Sequence, residues 1–580
     1  MRSRPILLVA FLAALLALSA CGKEAKQGTP TSTTTEAAPG ALAAAATPAP
    51  DDLAGLVPAD TQALLYAPSL DALQTKARRI VASIDEDTAA QVDLGEMLKQ
   101  LPIGDLVDRS KPFAVAVTFP PGENPEPVPT MIVSVTDVDA ALAVMKKQGM
   151  PEPPATAGSY VAIRKGPPAE GAMGSPLMKD LPAGDVILRM DLATLVERFR
   201  PEITKGLDAM EKGMPSASAP GMPGMPDMSG FMKGMREAVQ VFLDSAEQLD
   251  LVLTADGTKI RYEGRFTAKE GSALAKAPAG QGELADLAGI LPADYPIVMM
   301  FSLDADQIYG RLDKLMNWAT SMYPEPFRVK FQAFWGEMKG IYKYVGDRQV
   351  GAMRMAEDGV LFVAVMEVKD AQAYLTEWEA LIQGDAVKGL EDFGFQYLVE
   401  APKTVAGHEV HTVRMVFDWK KMMEAMGQEK EMPAEALDMM DGMMKKLFGP
   451  DGVTIHMADV DGNLVTVMGP DALLQSTLEA AASKRRPSGA IAAAIAEAGG
   501  HPTFLVRIEA RSLVKQVLGL VRQIAPEKTR DDIPAAPEGG AVPFLFYGTA
   551  SGRHYAGGFT VDVKAVADMV KQFIDMAKGK

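Results

Sequence analysis

The chain has 580 residues, 48% of them hydrophobic, and a formal charge of −17 from 75 acidic and 58 basic side chains. A chain of this length and apolar content buries a sizeable core, which excludes disorder over most of it, and at roughly 150 residues per domain it makes two to four units. The acidity, without any cluster of Lys and Arg interleaved with aromatics, excludes nucleic acid as a partner.

The chain opens with Arg2 and Arg4, an apolar run from Ile6 to Leu18, and then Leu18-Ser19-Ala20-Cys21. The run has the length of a signal-peptide core and is short for a membrane span. Leu at the third position before a Cys, with small residues between, resembles the lipobox of bacterial lipoproteins. Cys21 is also the only cysteine, so it has no disulfide partner within the chain. The resemblance implies removal of residues 1–20, a diacylglyceryl thioether on Cys21 and acylation, typically with palmitate, of the new amino terminus. At about 0.8 kcal/mol per buried methylene, two or three acyl chains make a durable anchor. Gly22 stands where the inner-membrane retention signal has Asp, so the resemblance favours the periplasmic side of the outer membrane.

Residues 21–51 are Lys, Glu, Gln, Thr, Pro and Ala without apolar periodicity and read as a flexible tether. Beyond them no run reaches the roughly 18 apolar residues of a spanning helix.

An internal repeat follows. Asp52-Leu-Ala-Gly-Leu-Val-Pro-Ala-Asp60 recurs as Asp286-Leu-Ala-Gly-Ile-Leu-Pro-Ala-Asp294, identical at seven of nine positions. Each copy runs into an apolar strand, Leu64 to Ala67 or Ile297 to Phe301, and then a Ser-Leu-Asp. Further markers recur in order: Met131 to Val135 with Leu361 to Val365, each before a helical pattern, and Val186 to Asp191 with Leu505 to Glu509. Terminal hairpins turn at Asp256-Gly257 and at Ser551-Gly552. The expectation is a tandem duplication over 52–280 and 281–580. Asp-Gly turns at 256–257, 358–359 and 461–462, flanked by strand-like alternation, signal two-residue antiparallel hairpins. Mixed with amphipathic helices, they predict an α+β fold of antiparallel sheets with helices, repeated twice.

Val57 to Thr61, Ser69 to Leu73 and Leu291 to Asp294 are similar to the Leu-Pro-Ala-Asp-Thr openings and Ser-Leu-Asp-Ala-Leu helix starts of a bacterial envelope family carried as a domain of unknown function. That resemblance implies an envelope location and α+β repeats and no activity.

Motifs for catalysis are missing. There is no P-loop, no dinucleotide glycine fingerprint and no Gly-x-Ser-x-Gly elbow. Gly548 to Gly552 reads as hairpin turn. His408 and His411 are three apart in a strand-like segment, which puts the rings on opposite faces of a solvated strand, whereas a zinc peptidase needs two His four apart on a helix. Asp459 to Asn463 lacks the later ligands of a calcium loop and reads as a turn. The expectation is therefore a protein that is not an enzyme and holds no cofactor.

Methionine is the unusual component, with 36 residues. Met222, Met225 and Met228 keep a three-residue spacing in a Gly- and Pro-rich stretch, and thioethers are soft ligands suited to Cu(I). Met432, Met439, Met440, Met443 and Met444 fall at helical spacing with Leu437 and Leu447. Such a stripe reads as core first, and otherwise as a soft surface for an acyl chain or another helix. Three roles follow in order: a lipid-anchored binding or scaffolding protein that meets a hydrophobic ligand or envelope protein, a carrier of hydrophobic ligands, and a copper-handling protein.

Overall fold

The computed structural model describes residues 49–577 apart from 100, 122–125, 149–153, 165–171, 214–228, 277–282, most of 303–324, 357–358, 426–433, 450, 526–529 and 531–532. It is a mixed helix and strand fold, and every strand pairing described is antiparallel. Contacts divide the chain into two compact units.

The first unit is built on β1 (Ala63–Ala67), β2 (Phe113–Thr118), β3 (Val128–Ser134), β4 (Thr156–Ala157), β5 (Tyr160–Arg164), β6 (Val186–Asp191), β7 (Ala246–Asp256) and β8 (Lys259–Ala268). They lie in the order β4, β5, β3, β2, β1, β6, β7, β8. Alternation sets the two faces. Leu64, Tyr66, Ile132 and Ile187 point to a core covered by Leu53, Leu56 and Leu181, while Val133, Val161 and Ile163 pack with Ala141 and Met145. The short helix Asp51–Ala54 that carries Leu53 comes from the first copy of the repeated nonapeptide. Asp137 caps the helix Val138–Lys147 by accepting from the Ala140 amide.

The second unit is built on β9 (Ile297–Ser302), β10 (Val345–Ala356), β11 (Gly359–Val368), β12 (Phe395–Val405), β13 (His408–Phe417), β14 (Val453–Val460), β15 (Asn463–Met468), β16 (Phe504–Glu509) and β17 (Pro543–Ser551). Their order is β12, β13, β14, β15, β11, β10, β9, β16, β17. One large core gathers Val298, Met300, Val363, Val465, Leu505 and Leu545 under the helices Leu284–Ala288, Asp471–Ala482 and Gly489–Glu497. The last strand, β18 (His554–Asp562), belongs to the first unit, where it pairs with β8. Conversely, residues 200–245 belong to the second unit. Each unit thus contains a piece of the other sequence half, an exchange that the boundary expected near 280 does not describe.

Strand ladders in the two units share their register. Leu64 lies opposite Arg189 on β6, and Val298 lies opposite Arg507 on β16. Next along, Arg189 lies opposite Asp250 and Arg507 opposite Leu545. The Asp191 amide donates to the Gln62 carbonyl, and the Glu509 amide to the Pro296 carbonyl. Asp191 then accepts from the Thr194 amide and Glu509 from the Ser512 amide, so both strands end in a side chain that caps the following helix. On the other side, the Val135 amide donates to the Ser159 carbonyl and the Val368 amide to the Gly462 carbonyl. The ladder corrects one detail: Leu64 leads through Ala116 to Thr130, and Val298 through Ala352 to Val363. By place in the sheet Met131 therefore matches Ala364, three residues on from the Leu361 expected from the sequence.

The buried polar content differs. Arg189 and Asp250, each 5% exposed, form a two-pronged ion pair, Nε to Oδ1 at 2.7 Å and Nη2 to Oδ2 at 2.8 Å. The remaining Arg189 hydrogens go to the carbonyls of Leu177, Lys179 and Asp180. With Leu545 in place of the acid, Arg507 has no ion pair among the described residues, and burial lowers its guanidinium below its ordinary value against the pull of Glu509.

Candidate functional site

The two units differ where the repeated nonapeptide meets a hairpin tip. In the first unit this place is closed. Gly158, in the left-handed region at φ +56°, turns the chain from β4 into β5, and a Cβ added to it would fall 2.2 Å from Asp52 Oδ2. Tyr160 follows two residues later, 4% exposed, with its ring in the core beside Leu53, Leu56 and Tyr66. Burial, with Tyr66, Asp108 and Asp52 adding to it, pushes its hydroxyl up to about 12.

In the second unit the corresponding hairpin turns from β14 into β15 at Asp461 (φ +53°) and Gly462 (φ +77°). These are the two left-handed residues of a type I′ turn, which explains the Asp-Gly signal. Asp459 Oδ1 accepts from the Gly462 amide at 3.0 Å and fixes the turn. The residue that follows is Asn463, in the register place of Tyr160. A ring is thereby exchanged for a short amide, and a cleft of about 750 Å³ opens beside it. Polar pockets of this size accept small molecules, since ligand sites run to roughly 300–1,000 Å³.

Three segments build the cleft. The helix Leu284–Ala288 contributes Asp286 and Leu287. The hairpin contributes Asp461 and Asn463, and the loop after the helix Asp471–Ala482 contributes Lys484, Arg485 and Arg486. The loop is held against the first helix at Gly289, where an added Cβ would sit 1.6 Å from the Arg485 carbonyl oxygen, so only glycine allows the approach. Lys484 itself takes φ +46°, a left-handed conformation uncommon outside glycine.

Several of the charges at the cleft answer one another. Arg348 bonds Glu367 with two nitrogens at 3.1 and 3.2 Å, which together with the nearby Asp286 holds its guanidinium above its ordinary value, and it also donates to the Glu283 carbonyl at 3.4 Å. Lys484 lies 3.5 Å from Asp461, and His501 lies 3.4 Å from Glu283. Arg485, Arg486 and Asp286 make no ion pair among the described residues. No serine, cysteine or histidine lines the cleft, and its ionisable lining is Glu283, Asp286, Arg348, Asp461, Lys484, Arg485 and Arg486.

Of the residues singled out from sequence, Asp461 and Asn463 of the turn segment Asp459 to Asn463 line this cleft, and His408, His411, Met440, Met443 and Met444 do not. Cys21, Met222, Met225, Met228 and Met432 lie outside the described residues, and so does the Met439 side chain. Met440, Met443 and Met444 lie on the helix Ala434–Phe448 and are half-buried, so these three are not fully buried as a core stripe would be. The His pair needs a correction too. His408 and His411 do lie in one strand, but His411 is buried and shares a 2.5 Å hydrogen bond between Nδ1 and Glu379 Oε1, so that strand is not simply solvated. Four lining residues were not recognised as members of a site. Asn463 was read only as part of a turn, and the signal for the basic loop was the Lys484-Arg485-Arg486 run in an otherwise acidic chain.

Among the described residues no group of three His, Cys, Asp or Glu side chains is placed to hold a metal ion, and no helix is long and apolar enough to cross a membrane. A scan against protein-family models, a search of curated proteins and a search of solved structures each find no match for this chain.

Proposed function

We propose that this protein is a lipoprotein of the bacterial envelope, anchored through Cys21 on the periplasmic side of the outer membrane, and that it binds a ligand without transforming it. We further propose that its body is a tandem duplication in which the first unit keeps a closed, structural version of the site and the second an open one. The cleft beside Asn463 carries this reading, because it stands where the matching place of the first unit is filled by Tyr160.

The shared register supports the duplication. Asp250 precedes Asp256 by six residues and Leu545 precedes Ser551 by six, so the terminal turns give the same match as the ladders do. The ligand-binding half of the proposal is favoured over scaffolding by the size of the cleft, and its charged lining favours a polar ligand over an acyl chain.

Two experiments test the reading. Metabolic labelling with palmitate is expected to mark the wild type and to leave Cys21→Ser unlabelled, and label persisting in the variant defeats the anchor. A thermal-shift screen of polar metabolites, run on the wild type and on Asn463→Tyr, is expected to find a stabilising compound whose effect the variant loses. A set of hits that all survive in Asn463→Tyr defeats the cleft as the site.

A further inference from the structure

We propose that the Arg507 guanidinium anchors a second binding site, for the carboxylate of a short monocarboxylic acid, which does there what the Asp250 side chain does for Arg189 in the first unit. The site is separate from the cleft, whose lining does not include Arg507.

The two arginines hold matching places in their ladders, Arg189 opposite Leu64 and Arg507 opposite Val298, and both are at least nine-tenths buried. A guanidinium carries five N–H donors and no acceptor. Arg189 makes five hydrogen bonds, two to the Asp250 carboxylate and three to the carbonyls of Leu177, Lys179 and Asp180. Among the described residues Arg507 makes no hydrogen bond and no ion pair. Leu545 stands across from it where Asp250 stands across from Arg189. The carboxylate that acts on it through charge is Glu509, whose two oxygens already accept from the Ser512 and Val542 amides at 2.7 and 2.6 Å. A buried charge without partners is costly, and a group that supplies them binds with that cost as its driving force. A planar anion with two oxygens answers best, because guanidinium and carboxylate pair through two parallel hydrogen bonds, as Arg189 does with Asp250. The surroundings set the rest of the ligand. Glu509 repels a second negative charge, and Val298 and Leu545 belong to the core, so the remainder is short and apolar. Arg507 keeps 9% of its surface exposed, and none of its nitrogens belongs with the sealed, unbonded polar atoms such as Arg511 Nε, so a small acid can reach it.

Thermal melts of the full chain in mild detergent test this, with sodium formate, acetate and propionate as probes against sodium chloride at the same ionic strength. The expected result is a saturable rise in melting temperature with at least one carboxylate, half-maximal at a concentration at least tenfold below that needed with chloride. Arg507→Met keeps the side-chain length and removes the donors, and it is expected to abolish the rise. Leu545→Asp supplies the carboxylate from the chain itself and is expected to abolish it too. Arg507→Met leaves no unpaired charge behind, so it remains informative if Leu545→Asp fails to fold. Carboxylates that act no differently from chloride overturn the proposal, as does a rise that Arg507→Met retains. A rise that Arg507→Met loses but a folded Leu545→Asp retains overturns the match to the Asp250 carboxylate.

Discussion

The two units solve one packing problem with different side chains. In the first, the space between the nonapeptide helix and the hairpin holds an aromatic ring, and the polar pair Arg189 and Asp250 is sealed under the sheet. In the second, an amide replaces the ring and a leucine replaces the acid. The first unit pairs its buried polar groups with one another, and the second has charged groups facing a cavity. On the proposed duplication, two copies of one framework would divide structural and binding duties with very few changes.

The largest effect expected from breaking this contrast is at the buried ion pair. Asp250→Leu copies the second unit into the first but strands the Arg189 charge, which costs about 3–5 kcal/mol. Leu545→Asp loses a buried leucine from the core but places its carboxylate beside Arg507, and it is expected to cost about 2 kcal/mol, less than the loss for Asp250→Leu. Urea denaturation followed by circular dichroism measures both, and equal losses in the two variants would show that the places are not equivalent. Next comes the ring. Tyr160→Asn removes a large buried side chain and is expected to cost about 3 kcal/mol. Asn463→Tyr grows into open space and should change stability by no more than about 1 kcal/mol. A melting temperature that falls as far for Asn463→Tyr as for Tyr160→Asn would mean that the cleft cannot take a ring.

The smallest effect expected is a dependence on pH confined to the second half, which holds all five histidines. His456 is buried, with Nδ1 3.0 Å from Thr412 Oγ1. Burial, helped by Lys403, lowers its imidazole below the ordinary value despite the opposing charges of Asp471 and Glu400. The unfolded chain therefore takes up the proton first. Stability is complete above about pH 6.5, the ordinary histidine value, and declines as the pH falls from there toward the lowered folded value. Melts at pH 7.5 and 5.5 are expected to show this decline in the wild type and a smaller one in His456→Gln. A decline of the same size in both removes His456 as its source.

Much of the framework was legible in the sequence. The nonapeptide and the Asp-Gly turns at 256–257 and 461–462 each mark a short local geometry, which is what residue spacing encodes, while Asp358 of the third turn lies outside the described residues. The three-residue error at β3 and β11 shows the limit, because an apolar strand can be slid along its partner in sequence and only the ladder fixes it. The cleft was not legible for a related reason. Asn463 after Asp-Gly reads as turn chemistry wherever it occurs, and what matters is the place it shares with Tyr160, which depends on pairing with β11. The His411 bond spans 32 residues to Glu379, and no spacing rule reaches that far. The methionine stripe was legible as a helix and misleading as to burial, since Met is accepted both in cores and at half-exposed contacts.

The pairing of β8 with β18 bears on how such a chain is made. Bonds between the two strands join residues 287 to 304 positions apart, such as Thr267 with His554 and Thr258 with Asp562. Glu263 faces Gly558 at the middle of the ladder. Until β18 emerges, the ten residues of β8 present an unpaired edge to every neighbouring chain. Lys259, Arg261, Glu263 and Arg265 lie on that edge strand, and charges there discourage pairing with a stranger. A chaperone that shields nascent strands would find its client in this interval, and a protease that clips the last strand would turn a finished molecule back into a sticky one.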